Sequence, residues 1–154
     1  YTAASERLEG YRQALQAAGV GFDETLVAEG EFDAPSGHRA MMRLLAVDRV
    51  TAVFAASDVV ALGVIGALRE AGRRVPLDVS VIGFDDIPLA AFFDPPLTTV
   101  RLPAHDLGRA AGRALLERIR GRPVPARMLL PTELVVRGST GPPRMEPVGR
   151  GRDP

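Results

Sequence analysis

Polar side chains that could bind a small ligand directly follow two apolar runs of this sequence. Ser57 and Asp58 end the first run, and Asp85 and Asp86 end the second. Because ligands of open parallel sheets bind beyond the carboxyl ends of the strands, both pairs are candidate ligand contacts. Asp58 is either a ligand contact, a helix N-cap or both. Neighbours on an extended chain point to opposite sides, so Asp85 and Asp86 are a poor acid–base pair. We predict that Asp85 accepts hydrogen bonds from a ligand, while its neighbour can fix a loop.

Two further side chains suit the recognition of a flat, polar ligand. Arg7 lies in the first turn of the first predicted helix, where its guanidinium can fork onto a pair of hydroxyls or a carboxylate. Phe32 precedes another predicted helix and can stack on the flat face of a sugar or base. Each has a structural alternative, because Arg7 would also suit a solvated surface and Phe32 could pack onto its helix as a hydrophobic staple.

The sequence contains none of the motifs that would indicate catalysis, a metal centre or a bound cofactor. It has no Cys, and all 19 basic residues are Arg, so it lacks a thiolate and the lysine of a phosphate-binding loop. His38 and His105 have no second ligand at metal-binding spacing. The net charge of zero gives no basic footprint for nucleic acid, and no apolar run approaches the roughly 20 residues of a membrane helix. We predict a binding protein rather than an enzyme, with no metal and no cofactor.

The elements that must position these residues alternate along the chain. Helices are predicted over residues 5–18, from Asp33 through Leu45, over 59–71 and over 107–120, and strands over 25–30, 52–56, 79–84, 97–102 and within 127–137. Alternating helices and buried apolar strands are typical of an α/β fold with a doubly wound parallel sheet. Residues 138–154 are mostly Gly, Pro and charged residues, which predicts a disordered tail.

Five segments, in the same order, resemble the LacI/GalR family of bacterial transcription regulators. They are S-E-R-L-E-G-Y at 5–11, F-A-A-S-D-V-V-A-L-G at 54–63, V-P-L-D-V-S-V-I-G-F-D-D at 75–86, P-P-L-T-T-V at 95–100 and L-P-T-E-L-V-V-R-G-S-T at 130–140. The resemblance implies a sensing domain like that of periplasmic sugar-binding proteins (type I), in which two α/β lobes enclose a ligand cleft. A separate N-terminal helix-turn-helix binds operator DNA in this family.

The resemblance also implies roles for individual residues. The positions that match effector contacts of the family are Arg7, Phe32, Ser57 and Asp85, and Asp58 is counted with them as a candidate effector contact. Ser57 stands where the family often has Asn, which has a longer reach, and Asp58 matches an aspartate whose role could be capping. Homodimerisation is expected through the helix 59–71 and the Phe92-Phe93-Asp94 loop, with Leu62, Phe92 and Phe93 at the interface.

By the same resemblance, the chain divides into unequal parts. Residues 1–101 match part of the C-terminal lobe, 102–126 a segment that normally belongs to the N-terminal lobe, and 127–137 a strand that returns to the C-terminal lobe. The DNA-binding head and most of the N-terminal lobe would precede Tyr1, so we expect an incomplete lobe with one wall of the cleft.

These observations predict the effector-sensing and dimerisation portion of a cytoplasmic LacI/GalR-type regulator. The expected effector is a small molecule, with a sugar as the first class and a nucleobase as the next. Operator DNA would be bound only through a head that this chain lacks. The alternative is a sugar-binding protein of the periplasmic type without a role on DNA. An enzyme on the same fold is disfavoured, because the chain offers no nucleophile, metal or phosphate motif.

Overall fold

A computed structural model describes residues 2–47 and 50–143 as a mixed α/β structure. Its elements are α1 (Thr2–Ala17), a 3₁₀ turn (Glu24–Leu26), α2 (Ala34–Leu44), β1 (Ala52–Phe54), α3 (Asp58–Glu70), β2 (Ser80–Asp85), a second 3₁₀ turn (Pro88–Phe92), β3 (Thr98–Arg101), α4 (Ala104–Ile119) and β4 (Glu133–Val135). None of the helices in the described ranges is long and apolar enough to cross a bilayer.

The helix boundaries follow from local chemistry that the sequence already shows. The Asp33 carboxylate accepts a hydrogen bond from the Ser36 amide and opens α2, with Pro35 in the first turn. Gly19, Gly72 and Gly121 follow α1, α3 and α4 at φ of 70°, 68° and 72°. Glycine adopts these left-handed conformations without the cost that other residues incur, so each ends its helix.

The four strands form one sheet in the order β1-β2-β3-β4. The first three are parallel and β4 runs antiparallel to β3, with Val100 opposite Leu134. The predicted α/β class is confirmed, with a parallel-dominated sheet. Two predictions about strands are wrong. Residues 25–30 pair with no strand in the described part of the chain, and β1 is an edge strand whose Phe54 is partly exposed rather than buried on both faces.

The core lies between the sheet and two helices that pack closely together. Helix α3 covers β2, and α2 lies against α3. Large side chains that are fully buried in this layer include Met41, Leu68, Val81 and Leu97. By contrast, α4 buries none of its residues, and Leu115 and Ile119 on its apolar face are exposed.

The tail predicted from residue 138 does not begin there. Ser139 is fully buried, where its hydroxyl donates to the Val81 carbonyl at 2.6 Å and accepts from the Thr98 amide at 2.8 Å. The Ser139 side chain thus joins β2 to β3. The Gly- and Pro-rich composition of the segment gave no sign of this contact. The rest of the predicted tail, 144–154, lies outside the described residues.

Gly63 lets the α2 and α3 backbones approach each other, and we expect Gly63→Ala to destabilise the fold by about 1–3 kcal/mol. A Cβ at this position would lie 1.9 Å from the Ala34 carbonyl oxygen. Because this oxygen belongs to the backbone, it cannot move aside by a change of rotamer, and the two helices would have to separate. Gly66 is the matched control, since its Cβ would meet only the His38 ring at 3.9 Å. Gly66→Ala should stabilise the helix by about 0.5–1 kcal/mol. Urea denaturation measures both, and equal effects would contradict the packing argument.

Candidate functional site

The structure brings Arg7, Phe32 and Asp85 together beyond the carboxyl ends of β1 and β2. The Arg7 guanidinium donates to the Ala56 carbonyl just after β1, at 2.8 Å between Nη1 and O. Its carbon atom Cζ lies 4.0 Å from the centre of the Phe84 ring, within the range of a cation–π contact. Arg7 is therefore fixed by strand ends and a ring, and the alternative of a freely solvated surface arginine is wrong.

The Asp85 carboxylate faces Arg7 without binding it directly. Its Oδ1 atom lies 3.8 Å from Nη2 of Arg7, beyond hydrogen-bond distance, and 35% of its side chain is exposed. Within residues 2–47 and 50–143, no group donates a hydrogen bond to this carboxylate. The site therefore presents a guanidinium and a carboxylate with hydrogen-bonding capacity for a ligand hydroxyl placed between them.

Burial raises the pKa of the Asp85 carboxyl. The positive charge of Arg7 opposes this effect, and the negative charge of Asp58 adds to it. Ionised Asp85 is thus poorly solvated in the unliganded structure, and a hydroxyl that donates to it would restore part of the lost hydration.

Phe32 forms the apolar side of the same cluster. Its ring centre lies 5.9 Å from the Arg7 Cζ atom, and the side chain is partly exposed. An exposed aromatic face beside two charged groups suits the C–H face of a sugar ring, with the hydroxyls directed to the charges. Arg7, Phe32 and Asp85 hence form a three-residue cluster, which we call the ligand cluster.

Ser57 and Asp58 lie at the start of α3 and have structural partners. Ser57 is the N-cap of α3, and its hydroxyl accepts from the Val60 amide at 3.2 Å. Asp58 is fully buried, and its two oxygens accept from the Thr99 hydroxyl at 2.5 Å and the Ile87 amide at 2.8 Å. No ligand can reach it, so the predicted effector contact of Asp58 is wrong, and so is its alternative as the N-cap. The predicted contact of Ser57 remains a prediction.

Gly83 on β2 makes room for the Asp58 carboxylate. A Cβ at Gly83 would lie 2.3 Å from Oδ1 of Asp58 and 2.8 Å from a Leu97 methyl carbon. Asp58 therefore joins the start of α3 to β3 through Thr99 and to the loop after β2 through Ile87. Sequence reasoning missed Thr99, although its place in the T-T-V segment was the available signal.

Asp86 points away from the ligand cluster and is clamped by two arginines. Its Oδ1 accepts from Arg137 and its Oδ2 from Arg101, each at 2.6 Å, and 7% of its side chain is exposed. Burial alone would raise the pKa of Asp86, but hydrogen bonds from Arg137 and then Arg101 bring the pKa below the usual range. Asp86 thus holds a loop in place, as expected for one aspartate of the pair, and the ligand contact of Asp85 remains a prediction.

The backbone at the two aspartates adopts conformations that L-residues rarely occupy. Asp85 has φ of 114° and Asp86 has φ of 56°. Such residues cost of order 1–3 kcal/mol each and persist only where their surroundings hold them. The Arg137 and Arg101 contacts supply that restraint at Asp86.

The predicted dimer residues have unequal surroundings. Leu62 on α3 is exposed, and Phe92 is 82% exposed, as an interface would require. Phe93 is only 7% exposed and belongs to the core, so its predicted place on the dimer surface is wrong. Phe92 ends the second 3₁₀ turn and Phe93 follows it in extended backbone, so the two rings face different ways, which their sequence does not show. Val59 on α3 and Leu89 in the second 3₁₀ turn are also exposed.

His38 has a partner unrelated to metal binding. Its Nε2 atom lies 2.8 Å from a carboxylate oxygen of Glu70, across the contact of α2 with α3. Among residues 2–47 and 50–143, no group of three His, Cys, Asp or Glu side chains is arranged to hold a metal ion.

Comparison with known proteins supplies the wider context. The model of the periplasmic binding protein-like domain matches residues 1–140. The HTH-type transcriptional regulator CelR of Thermobifida fusca is 50% identical over 138 residues, covering 87% of this chain and 40% of CelR. The HTH-type transcriptional repressor CytR of Escherichia coli K12 is 44% identical over 136 residues, again 87% of this chain and 40% of the relative.

A solved structure described as a complex of the transcriptional regulator CelR with cellobiose is similar in three dimensions. Its TM-score is 0.85 at 49% identity, over 88% of this chain and 42% of that chain. The chain thus spans about two fifths of the length of the curated relatives it matches.

Proposed function

This chain belongs to the periplasmic binding protein-like domain family, as found in LacI-type regulators, and on that premise we propose that it forms one wall of a regulator's effector cleft. The effector would be a sugar, and the whole protein would be a cytoplasmic transcription regulator that binds operator DNA through a separate unit. The relatives reported above are regulators, which favours this function over a free-standing sugar-binding protein.

One observation carries the proposal. Arg7 and Asp85 lie 3.8 Å apart at the strand ends, with Phe32 beside them. A sugar hydroxyl can accept from the guanidinium and donate to the carboxylate, while an apolar ring face rests on the phenyl ring. A solved structure of CelR is described as a complex with cellobiose, so a glucose disaccharide is the first ligand to test.

Calorimetric titration of the protein with cellobiose and a panel of other mono- and disaccharides tests the proposal. At least one sugar should bind saturably with one site per chain. Failure of every sugar in the panel, in the presence of the rest of the regulator, would overturn it.

We further propose that the exposed apolar face of α4 lies against the second lobe of the domain, consistent with its similarity to a segment of that lobe. Leu107, Leu115, Leu116 and Ile119 are all exposed on this helix. Burial of a leucine or isoleucine side chain contributes about 1.5–3 kcal/mol, so such a face is expected to be covered in the whole protein.

Sugar binding should weaken on acidification, and the weakening should begin at a higher pH than it would if Asp85 had the pKa of an ordinary aspartate. A sugar hydroxyl donates a stronger hydrogen bond to ionised Asp85 than to the protonated carboxyl, and burial raises the pKa of that carboxyl, so affinity should fall as the pH drops through this raised value. In the unliganded protein, a raised pKa means that ionisation costs stability above the unfolded pKa. Asp85→Asn should therefore stabilise the free protein at neutral pH. Titrations from about pH 4, near the ordinary aspartate pKa of about 3.9, up to about pH 8 measure the affinity, and a pH-independent affinity would contradict this account.

We propose that Phe92 lies at the interface of a homodimer, together with Leu62. A two-fold interface uses the same patch twice, so Phe92→Asp would place two buried charges at the contact and should shift the protein toward monomer in sedimentation. Leu77→Asp is the control, because Leu77 is similarly exposed but lies at the other end of β2. If Phe92→Asp sediments as the parent does, the interface lies elsewhere.

A further inference from the structure

Arg137 has no hydrogen bond or ion pair with the ligand cluster, yet its guanidinium joins the segment before β3 to Asp86, the neighbour of Asp85. The guanidinium donates to the Leu97 carbonyl through Nη1 at 2.8 Å and to Asp86 through Nη2 at 2.6 Å. Its backbone amide donates to the Thr98 hydroxyl at 2.9 Å. With 19% of its side chain exposed, Arg137 is a fixed group rather than a surface cation.

The restraint matters because the turn it holds is strained. Asp85 and Asp86 both have positive φ, at 114° and 56°. Without a restraint, L-residues there would relax toward negative φ. That relaxation would rotate the peptide between the two aspartates and move the Asp85 carboxylate away from Arg7, from which it now lies 3.8 Å.

The second arginine on Asp86 is a weaker restraint. Arg101 has about half of its side chain exposed and shares its charge with Glu133, at 3.0 Å. Arg137 is more buried and its second hydrogen bond goes to a backbone carbonyl of the segment before β3. The clamp on Asp86 therefore depends chiefly on Arg137.

We propose that Arg137 is a positioning residue for ligand binding, which acts through Asp86 to hold the Asp85 carboxylate beside Arg7. This inference rests on the proposed function, because it assigns Arg137 a role in ligand binding at the same site. The proposal predicts that Arg137, which follows β4, affects the affinity for the ligand although Arg137 itself does not contact the ligand.

The test uses Arg137→Gln and a matched control, Arg74→Gln. Arg74 forms a double hydrogen bond with Asp78, whose side chain is as buried as that of Asp86, but the pair lies away from the ligand cluster. The three-bond HN–Hα coupling of Asp85, measured by NMR without ligand, reports φ. Arg137→Gln should raise it toward the value of extended backbone, and Arg74→Gln should leave it unchanged.

Affinity for the sugar that binds the parent, cellobiose being tested first, should fall about tenfold in Arg137→Gln and stay within twofold in Arg74→Gln. Arg137→Lys, which keeps the charge on Asp86 but not the forked geometry, should be intermediate and guards against a misfolded Gln variant. An unchanged Asp85 coupling, or an unchanged affinity despite a changed coupling, would overturn the proposal. If no sugar binds the parent, the proposed function fails, while the coupling still decides whether Arg137 positions Asp85.

Discussion

Asp58→Ala should cost the protein about 3–5 kcal/mol of unfolding free energy. The substitution leaves the Thr99 hydroxyl and the Ile87 amide buried without their acceptor, and hydrogen bonds to a charged group contribute about 1.5–3 kcal/mol each. Because a domain has only about 5–15 kcal/mol of stability, the variant should lie close to its unfolding threshold. Urea denaturation measures the change.

The control for this prediction is Asp94→Ala. Asp94 is an exposed carboxylate, with 95% of its side chain accessible, and it lies 3.5 Å from Arg69. Exposed ion pairs contribute about 0–1 kcal/mol, so this variant should be nearly as stable as the parent. A loss of less than about 1 kcal/mol in Asp58→Ala would show that Asp58 does not join α3 to the sheet as described.

Asp85→Ala should weaken effector binding by about 1–3 kcal/mol, which is about 5–150-fold in Kd. The ligand hydroxyl that donates to the carboxylate would lose its partner in a partly buried site. The free protein should not lose stability with it, because burial disfavours the charge of Asp85. Calorimetry measures the affinity and thermal unfolding the stability. An unchanged affinity would remove Asp85 from the site, and Asp94→Ala again serves as the control.

The sequence was informative where local chemistry decides the structure. Asp33 and the glycines after α1, α3 and α4 marked helix ends, because caps and left-handed residues act on their own turn. Asp85 was assigned to the ligand side because strand ends of a parallel sheet face one edge. The assignment of Arg7 came instead from the resemblance to a family.

Other features depended on contacts between distant segments, and those were predicted poorly. Asp58 resembled a ligand contact until Thr99, 41 residues away, proved to be its partner. Phe93 could not be told from Phe92, since the direction of each ring depends on where the 3₁₀ turn ends and on the core that Phe93 enters. Arg137 bonds to Asp86 across 51 residues, a separation over which no local pattern gives a signal.

The structure of the protein with a bound sugar tests the central claim most directly. The sugar that binds most tightly in the titrations would be soaked or co-crystallised with the chain in its regulator. We expect one hydroxyl within hydrogen-bond distance of both the Arg7 guanidinium and the Asp85 carboxylate, and the ring against Phe32. A sugar bound elsewhere, with no hydroxyl in contact with both Arg7 and Asp85, which lie 3.8 Å apart, would contradict the assignment of this site.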